Sequence, residues 1–222
     1  MWEIFKTFCN QKIGIDLSAE HLKKFQQYFS LLCDTNEKMN LVSFKTPLEL
    51  IYRHFCDCMF VVKAIKERCG ATDARLKIID LGSGAGFPAI IVSIIFDQSE
   101  CVLIESITKK CIFLNDVKKA LNLNCQIINE RAEVVEQAKK YRQQFDFALS
   151  RAVCKFSQNL EIAIAPLRVG GHFLVCKTKR SIDEKEGGLQ SVGQALKTLG
   201  AKLDKISSYN LPTSDLEYCI LD

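Results

Sequence analysis

The sequence predicts an α/β fold: a Rossmann-like, seven-stranded, mostly parallel sheet with an N-terminal helical extension. Three observations carry this. Leu76–Pro88, LKIIDLGSGAGFP, reads as a short buried strand, a glycine turn and the start of an apolar helix, the opening of a nucleotide-binding βαβ unit. From Ala71 onward, short apolar runs alternate with segments of helical period, the mark of a parallel sheet. Before Ala71 only helical periodicity is present. The expected organisation is an extension over 1–70 and a nucleotide-binding domain over 71–222, forming one compact unit.

Trp2 to about Gln11 reads as a short amphipathic helix with Ile4, Phe5 and Phe8 on one face. Ser18 is expected to cap a long helix through Thr35, where Leu22, Phe25, Phe29 and Leu32 recur at helical spacing. Thr46-Pro47-x-Glu49 combines an N-cap, proline at the first helical position and a capping-box Glu. That helix, broken once, carries Arg53, His54 and Asp57 and ends near Arg68–Gly70. A helix is expected from Phe87 to Phe96. Cys101–Ser106 is the second strand, after which Ser106 is positioned to cap a helix carrying Ile112, Phe113 and Val117. Cys125–Asn129 and Phe145–Ser150 are the third and fourth strands, and a helix follows over about Gln158–Leu167. Gly170-Gly171 turns into a fifth strand, His172–Lys177. Ser181-x-x-Glu184 reads as a capping box, with a helix from about Gly188 to Thr198. Ala201–Ser208 and Leu216–Leu221 are expected as an antiparallel pair at the sheet edge.

The glycine turn indicates which ligand it suits. Gly82, Gly84 and Gly86 permit a tight turn and close approach of backbone to a ligand. The dinucleotide fingerprint G-x-G-x-x-G requires a third small residue where this chain has Phe87. Asp80 would repel a pyrophosphate in a poorly screened cleft, whereas S-adenosylmethionine (SAM) carries a sulfonium and an amino group that a carboxylate favours. Glu105, at the end of the second strand, is placed to accept hydrogen bonds from ribose hydroxyls. The residue also suits the start of the helix that follows it.

At 222 residues the chain can bury one good core. Its 48% hydrophobic and 25% charged content is that of a soluble globular protein. The longest apolar stretch, Ile78–Phe96, is interrupted by Asp80 and three glycines, so no membrane span is expected. MWEIFKTFCNQK lacks the basic start and apolar centre of a signal peptide. The eleven cysteines are scattered, with Cys56-x-Cys58 the close pair. No metal site is expected, and Cys101, Cys111, Cys176 and Cys219 read as core residues in a reducing cytoplasm. A net charge of +4 permits a nucleic-acid partner without requiring one.

These motifs together resemble the RsmG (GidB) family, bacterial methyltransferases of a guanine N7 in 16S ribosomal RNA. The matching stretches are Asn40-Leu41-Val42-Ser43, Arg53-His54 with Asp57, Asp80 through Pro88, and Glu105-Ser106-x-x-Lys109-Lys110-x-x-Phe113-Leu114. Arg131-Ala132-Glu133 and Ser150-Arg151-Ala152-Val153 complete the set. Two positions depart from the family pattern: Cys58 stands where Ser usually follows the Asp, and Thr178 stands where Gly usually follows the lysine.

The resemblance implies a SAM-dependent methyltransferase fold with S-adenosyl-L-methionine as cofactor. Gly82 and Phe87 would line its site, with Ala132 and Glu133 beside the adenine. Arg151 would bridge cofactor and substrate. Asp80, Gly84 and Glu105 complete the expected cofactor set. Arg53, His54, Asp57 and Lys177 form the expected substrate set. The expected partner is 16S ribosomal RNA or the small ribosomal subunit, acted on in the cytoplasm by a monomer that binds no membrane.

Guanine N7 has a lone pair and no proton to lose, so transfer there requires in-line placement rather than a general base. Arg151 is accordingly expected to position the guanine or its phosphate. Cys154 is read as structural. Two other functions compete: a SAM-binding ribosome-assembly module without catalysis, and, less favoured by Asp80 and Phe87, an NAD-dependent oxidoreductase.

Overall fold

The computed structural model describes residues 1–151, 156–183, 192–212 and 214–222. The extension consists of α1 (Trp2–Phe8), α2 (Ala19–Asn36), α3 (Pro47–Leu50) and α4 (Asp57–Cys69). Wider π-type turns prolong α1 over Cys9–Ile13 and join α3 to α4 over Ile51–Cys56. Ser18 caps α2 as expected, its Oγ accepting the His21 N–H at 3.0 Å. Thr46 Oγ1 caps α3 by accepting the Glu49 N–H. Glu49 reaches one residue further back than a capping box requires, to the Lys45 N–H at 2.6 Å.

The sheet strands are β1 (Lys77–Leu81), β2 (Glu100–Glu105), β3 (Cys125–Asn129), β4 (Phe145–Arg151), β5 (Leu167–Thr178), β6 (Ile206–Asn210) and β7 (Glu217–Leu221). Their order is β3-β2-β1-β4-β5-β7-β6, with β7 antiparallel to both neighbours. The expected edge pair is therefore present. The chain leaves β1 toward β2 and β3 on one side, and continues through β4 and β5 on the other. A ligand crevice belongs at the C-terminal ends of β1 and β4, where the strand order reverses.

The connecting helices are α5 (Ala89–Ile95), α6 (Thr108–Leu121), α7 (Ala132–Gln137), α8 (Phe156–Ile164), α9 (Lys179–Asp183) and α10 (Gly193–Thr198). Every residue of α5 is buried, so it has no wet face of the kind a sheet-covering helix normally keeps. The extension supplies the cover. Phe5, Phe25, Leu32, Phe55 and Val62 share one hydrophobic cluster with Ile90, Ile94, Ile78 and Leu103. A second cluster lies on the opposite face, where Ile79, Leu81 and Ile104 meet Val135, Ile162 and Ala163.

Several boundaries differ from the sequence expectation. Phe87 belongs to the turn, and α5 starts at Ala89. Ser106 does not cap α6; Ile107 occupies the N-cap position, and its N–H donates to Glu105 Oε1 at 2.8 Å. Ile112 faces solvent at 57% exposure, while Phe113 and Val117 are buried.

β5 begins at Leu167, absorbing the end of the helix expected there, and bends at Gly170, whose φ is +76°, before its regular pairing with β4 resumes at His172 as expected. Three extra β5 residues are accommodated between the Phe145–Leu167 and Phe147–His172 pairs. At Gly171 a Cβ would stand 3.0 Å from both the Arg168 and Phe145 carbonyls, so glycine admits the close strand approach. Ser181 lies inside α9, donating to the Thr178 carbonyl at 2.8 Å; Glu184, its expected partner, lies outside the described residues. β6 starts at Ile206 rather than Ala201. Among the described residues, no helix is long and apolar enough to cross a membrane.

Candidate functional site

The glycine loop follows β1. Gly82, Gly84 and Gly86 all have positive φ, at 72°, 57° and 99°, a region that side-chain-bearing residues rarely adopt. The Gly82 and Ser83 N–H groups both donate to the Ile104 carbonyl at 2.9 Å, tying the loop to β2. At Gly86 a Cβ would lie 2.4 Å from Ile90 Cγ1, so this glycine brings the loop onto α5.

The parallel register of β1 and β2 sets Asp80 opposite Leu103, two residues before Glu105, so both carboxylates lie at this end of the sheet. Glu105 is buried, and Oε2 accepts the Gly84 N–H at 2.8 Å while Oε1 takes the Ile107 N–H. The helix-start role read from its position is thus present, and the same side chain also holds the glycine loop. Each oxygen keeps a lone pair for a ribose hydroxyl.

Asp80 is 1% exposed, and neither carboxylate oxygen has a well-formed hydrogen bond. Burial pushes its pKa up to about 7, against the easing effect of the Ser83 hydroxyl and with the Glu105 charge adding to it. A buried carboxylate without partners is costly. A cationic amino group brought to it would supply the missing donor and restore its charge. The residues therefore fit SAM on an observation independent of the motif.

Arg151 ends β4 and turns into the extension rather than out to solvent. Its Nε pairs with Asp57 Oδ2 at 2.9 Å, and Nη2 donates to the Arg53 carbonyl at 2.7 Å. Nη1 lies 3.1 Å from His54 Nδ1. Its guanidinium carbon sits 5.7 Å from the centroid of the Phe87 ring. Burial opposes the charge, and the neighbouring groups together, the facing Asp57 carboxylate foremost, more than offset it. Asp57 is itself 2% exposed and accepts the Tyr209 hydroxyl at 2.6 Å through Oδ1.

Because Arg151 can only donate, His54 Nδ1 must be the acceptor and Nε2 carries the proton. That Nε2 is buried with no well-formed partner among the described residues. Burial, followed by the Arg151 charge, lowers the His54 pKa to about 3, so this imidazole is neutral at physiological pH. Its ring lies 5.2 Å from that of Phe87. The structure thus gathers Arg53, His54, Asp57, Phe87 and Arg151 in one cluster.

Their roles within it differ from the expectation. Arg53 contributes its carbonyl, while its guanidinium turns outward to Glu49 at 2.9 Å. Asp57 and His54 hold Arg151 from within rather than facing out. Lys177 is the penultimate residue of β5, and strand alternation sets it on the face opposite Cys176. Ala132 and Glu133 open α7 after β3, with Ala132 half-buried and Glu133 exposed. Ala152, Val153 and Cys154 lie outside the described residues. Burial pushes the thiols of Cys58, Cys101, Cys111, Cys176 and Cys219 upward, so none is a ready nucleophile.

Two tyrosines of the site were not anticipated. Tyr28 of α2 is fully buried and donates to the Ala85 carbonyl of the glycine loop at 2.7 Å. Its position between Phe25 and Leu32 on the apolar stripe was the available signal, since a phenol inside a core needs an acceptor. Tyr209 on β6 offered no such signal, because its partner Asp57 lies 152 residues away.

The family model for GidB, rRNA small subunit methyltransferase G, matches residues 21–204. The ribosomal RNA small subunit methyltransferase G of Thermoanaerobacter pseudethanolicus is 36% identical over 204 residues, covering 91% of this chain and 81% of that one. The protein of the same name from Clostridium tetani is 33% identical over 218 residues, 98% and 87% of the two chains. Among solved structures, a SAM-dependent methyltransferase from Aquifex aeolicus has a TM-score of 0.54 at 14% identity, covering 78% of this chain and 91% of that one. Aeropyrum pernix fibrillarin, bound to S-adenosyl-L-methionine, also reaches 0.54, at 17% identity over 68% of each chain. These likenesses are of fold, and the fold is that of SAM-dependent methyltransferases.

Proposed function

The chain belongs to the GidB family of rRNA small subunit methyltransferase G proteins, and we propose that this SAM-dependent methyltransferase of 16S ribosomal RNA acts on N7 of a guanine. The observation that carries the cofactor reading is Asp80, a buried carboxylate with no well-formed hydrogen bond among the described residues, beside a glycine loop at the switch point of the sheet. SAM, when bound, supplies an electrophilic methyl group on a sulfonium.

The chain's own residues divide the remaining work. Asp80 would meet the cofactor's amino group, and Glu105 its ribose. Gly82, Gly84 and Phe87 would form the wall, with Ala132 and Glu133 at the adenine end. Arg151 holds a permanent positive charge at the mouth, where it would orient the acceptor base or its phosphate.

The chemistry of the cluster supports N7 as acceptor. Asp57 is occupied by Arg151 and Tyr209. His54 is neutral and buried, and its Nδ1 is engaged by Arg151. The buried thiols are held protonated. None of these groups is poised to remove a proton, and N7 has none to remove. In-line placement of a lone pair is the task that remains. We read residues 1–70 as the shoulder that fixes Arg151, within a monomeric cytoplasmic protein.

The test uses labelled SAM and small ribosomal subunits from a strain lacking the gene, followed by chain cleavage at 7-methylguanine. One labelled guanine is expected. Label at another atom overturns the N7 assignment. Absence of label, with SAM binding intact by calorimetry, overturns catalysis in favour of an assembly role.

A further inference from the structure

Three aromatic rings run in a column from the helical extension toward the crevice. Phe60 of α4 stacks on Tyr209 of β6, with centroids 3.9 Å apart and planes 19° from parallel. Tyr209 and Tyr218 of β7 follow at 5.9 Å and 20°. The pairing of β6 with β7 sets Tyr209 opposite Tyr218, and the pairing of β5 with β7 sets Tyr218 opposite Thr178. Since Thr178 ends β5, the column finishes at the same end of the sheet as Asp80 and Arg151.

Burial changes along it. Tyr209 is buried, whereas Tyr218 is half-buried. The Tyr218 hydroxyl lies 3.1 Å from Ser214 Oγ, which satisfies its polar atom and fixes the ring. Together with Asp57, Arg151, Cys176, Lys177 and Thr178, Tyr218 lines a recess of about 220 Å³. That is smaller than the roughly 300–1,000 Å³ of pockets for drug-sized ligands and suits a single nucleobase.

The recess also offers donors. A guanidinium has five N–H groups. One each from Nε and Nη2 goes to Asp57 and the Arg53 carbonyl, and one from Nη1 goes to His54. Among the described residues the other two have no acceptor. An aromatic face beside unspent guanidinium donors is the combination by which proteins hold bases splayed out of single-stranded RNA.

We propose that Tyr218 is a stacking platform for an unstacked nucleobase of the substrate RNA, seated in the recess beside Arg151. Phe60 and Tyr209 back the ring and hold it flat, and Tyr218 acts on the RNA directly. This rests on the RNA methylation proposed above, and it adds the surface that receives the nucleotide.

The test compares Tyr218→Phe with Tyr218→Leu on unmethylated small subunits. Phe keeps the ring and should leave KM for the subunit within about threefold. Leu removes the π face and should raise that KM roughly 10- to 100-fold, with the Kd for SAM unchanged by calorimetry. A wild-type KM for Leu overturns the platform, as does an equal loss for both variants. Should Leu unsettle the sheet edge, Tyr218→Trp decides: a KM at or below wild type supports stacking, and a tenfold rise overturns it.

A second readout does not need turnover. Fluorescence of 2-aminopurine in a single-stranded oligoribonucleotide should be quenched by the wild-type and Phe proteins and not by Leu. Quenching without methylation would count against the reaction alone. Absence of quenching by the wild-type protein would overturn the platform itself.

Discussion

The phenol of Tyr28 and the carbonyl of Ala85 share a 2.7 Å hydrogen bond, so that the middle of α2 holds the glycine loop across 57 residues of sequence. Tyr28 also packs its ring against Phe55 and Phe87. Replacing it by Phe keeps this packing and orphans a buried carbonyl, at a cost of about 1–3 kcal/mol. Tyr28→Phe is expected to lower the urea midpoint accordingly and to weaken SAM binding, both measurable on the purified protein. Unchanged SAM affinity would show that the loop keeps its shape without α2.

Gly86→Ala is expected to cost more. At φ +99° the new methyl group would collide with Ile90 Cγ1 at 2.4 Å, with Leu114 Cδ2 a further 3.1 Å neighbour. Strain and overpacking together suggest about 2–4 kcal/mol. Gly14→Ala is a suitable control: its φ is also positive, yet nothing lies within 4 Å of the added carbon. Thermal or denaturant unfolding of the two variants separates collision from backbone strain.

The Arg151–Asp57 pair should behave as a buried ion pair. Removing Asp57 leaves a guanidinium uncompensated in a largely buried setting, and Asp57→Ala is expected to destabilise the fold by about 3–5 kcal/mol. The double variant Asp57→Ala/Arg151→Leu should recover part of that loss while turnover stays abolished. Arg151→Lys should not restore activity, because one ammonium cannot meet Asp57, His54 and the Arg53 carbonyl in a planar fork. Full turnover of Arg151→Ala would remove this residue from the mechanism.

SAM affinity should depend on pH through Asp80. With a pKa near 7 in the free protein, Asp80 is increasingly protonated below neutrality, and a cationic ligand then requires proton release. Affinity is expected to fall by up to about tenfold per pH unit below that point. Asp80→Asn should bind weakly with a flat profile. The same shift acts on folding with its own sign. The raised native pKa lends stability that is full below the ordinary carboxylate pKa of roughly 4 and is lost as pH rises through about 7.

His54 acts in the opposite direction. Its native pKa near 3 lies well below the ordinary imidazole value of 6.5, so the unfolded chain binds a proton that the native state refuses. Stability should decline as pH falls from about 6.5 toward 3, with a limiting slope of roughly 1.4 kcal/mol per pH unit. His54→Gln retains an acceptor for Arg151 and should flatten that slope. Denaturant titrations at several pH values check it.

Most of the sheet was legible because parallel strands buried on both faces are nearly continuous apolar runs, as Lys77–Leu81 and Glu100–Glu105 illustrate. The glycine loop was legible because its backbone excludes side chains. The start of β5 was not, since the apolar residues of α8 lead into Leu167 without a polar break and the bend at Gly170-Gly171 falls inside the strand rather than before it. Within the site, residue identity was readable and direction was not. Asp57 and His54 stood in the right motif, yet their partners Tyr209 and Arg151 are distant in sequence. No spacing rule could show that they hold Arg151 from behind.

The envelopment of α5 also imposes an order of events. Translation delivers Trp2–Cys69 before Ala89–Ile95, so the greasy sides of α2 and α4 emerge first, with the helix they enclose still to come. The opening third of the polypeptide is therefore made before the helix that fills it. The glycine loop, synthesised directly ahead of that helix, packs onto it at Gly86, against Ile90.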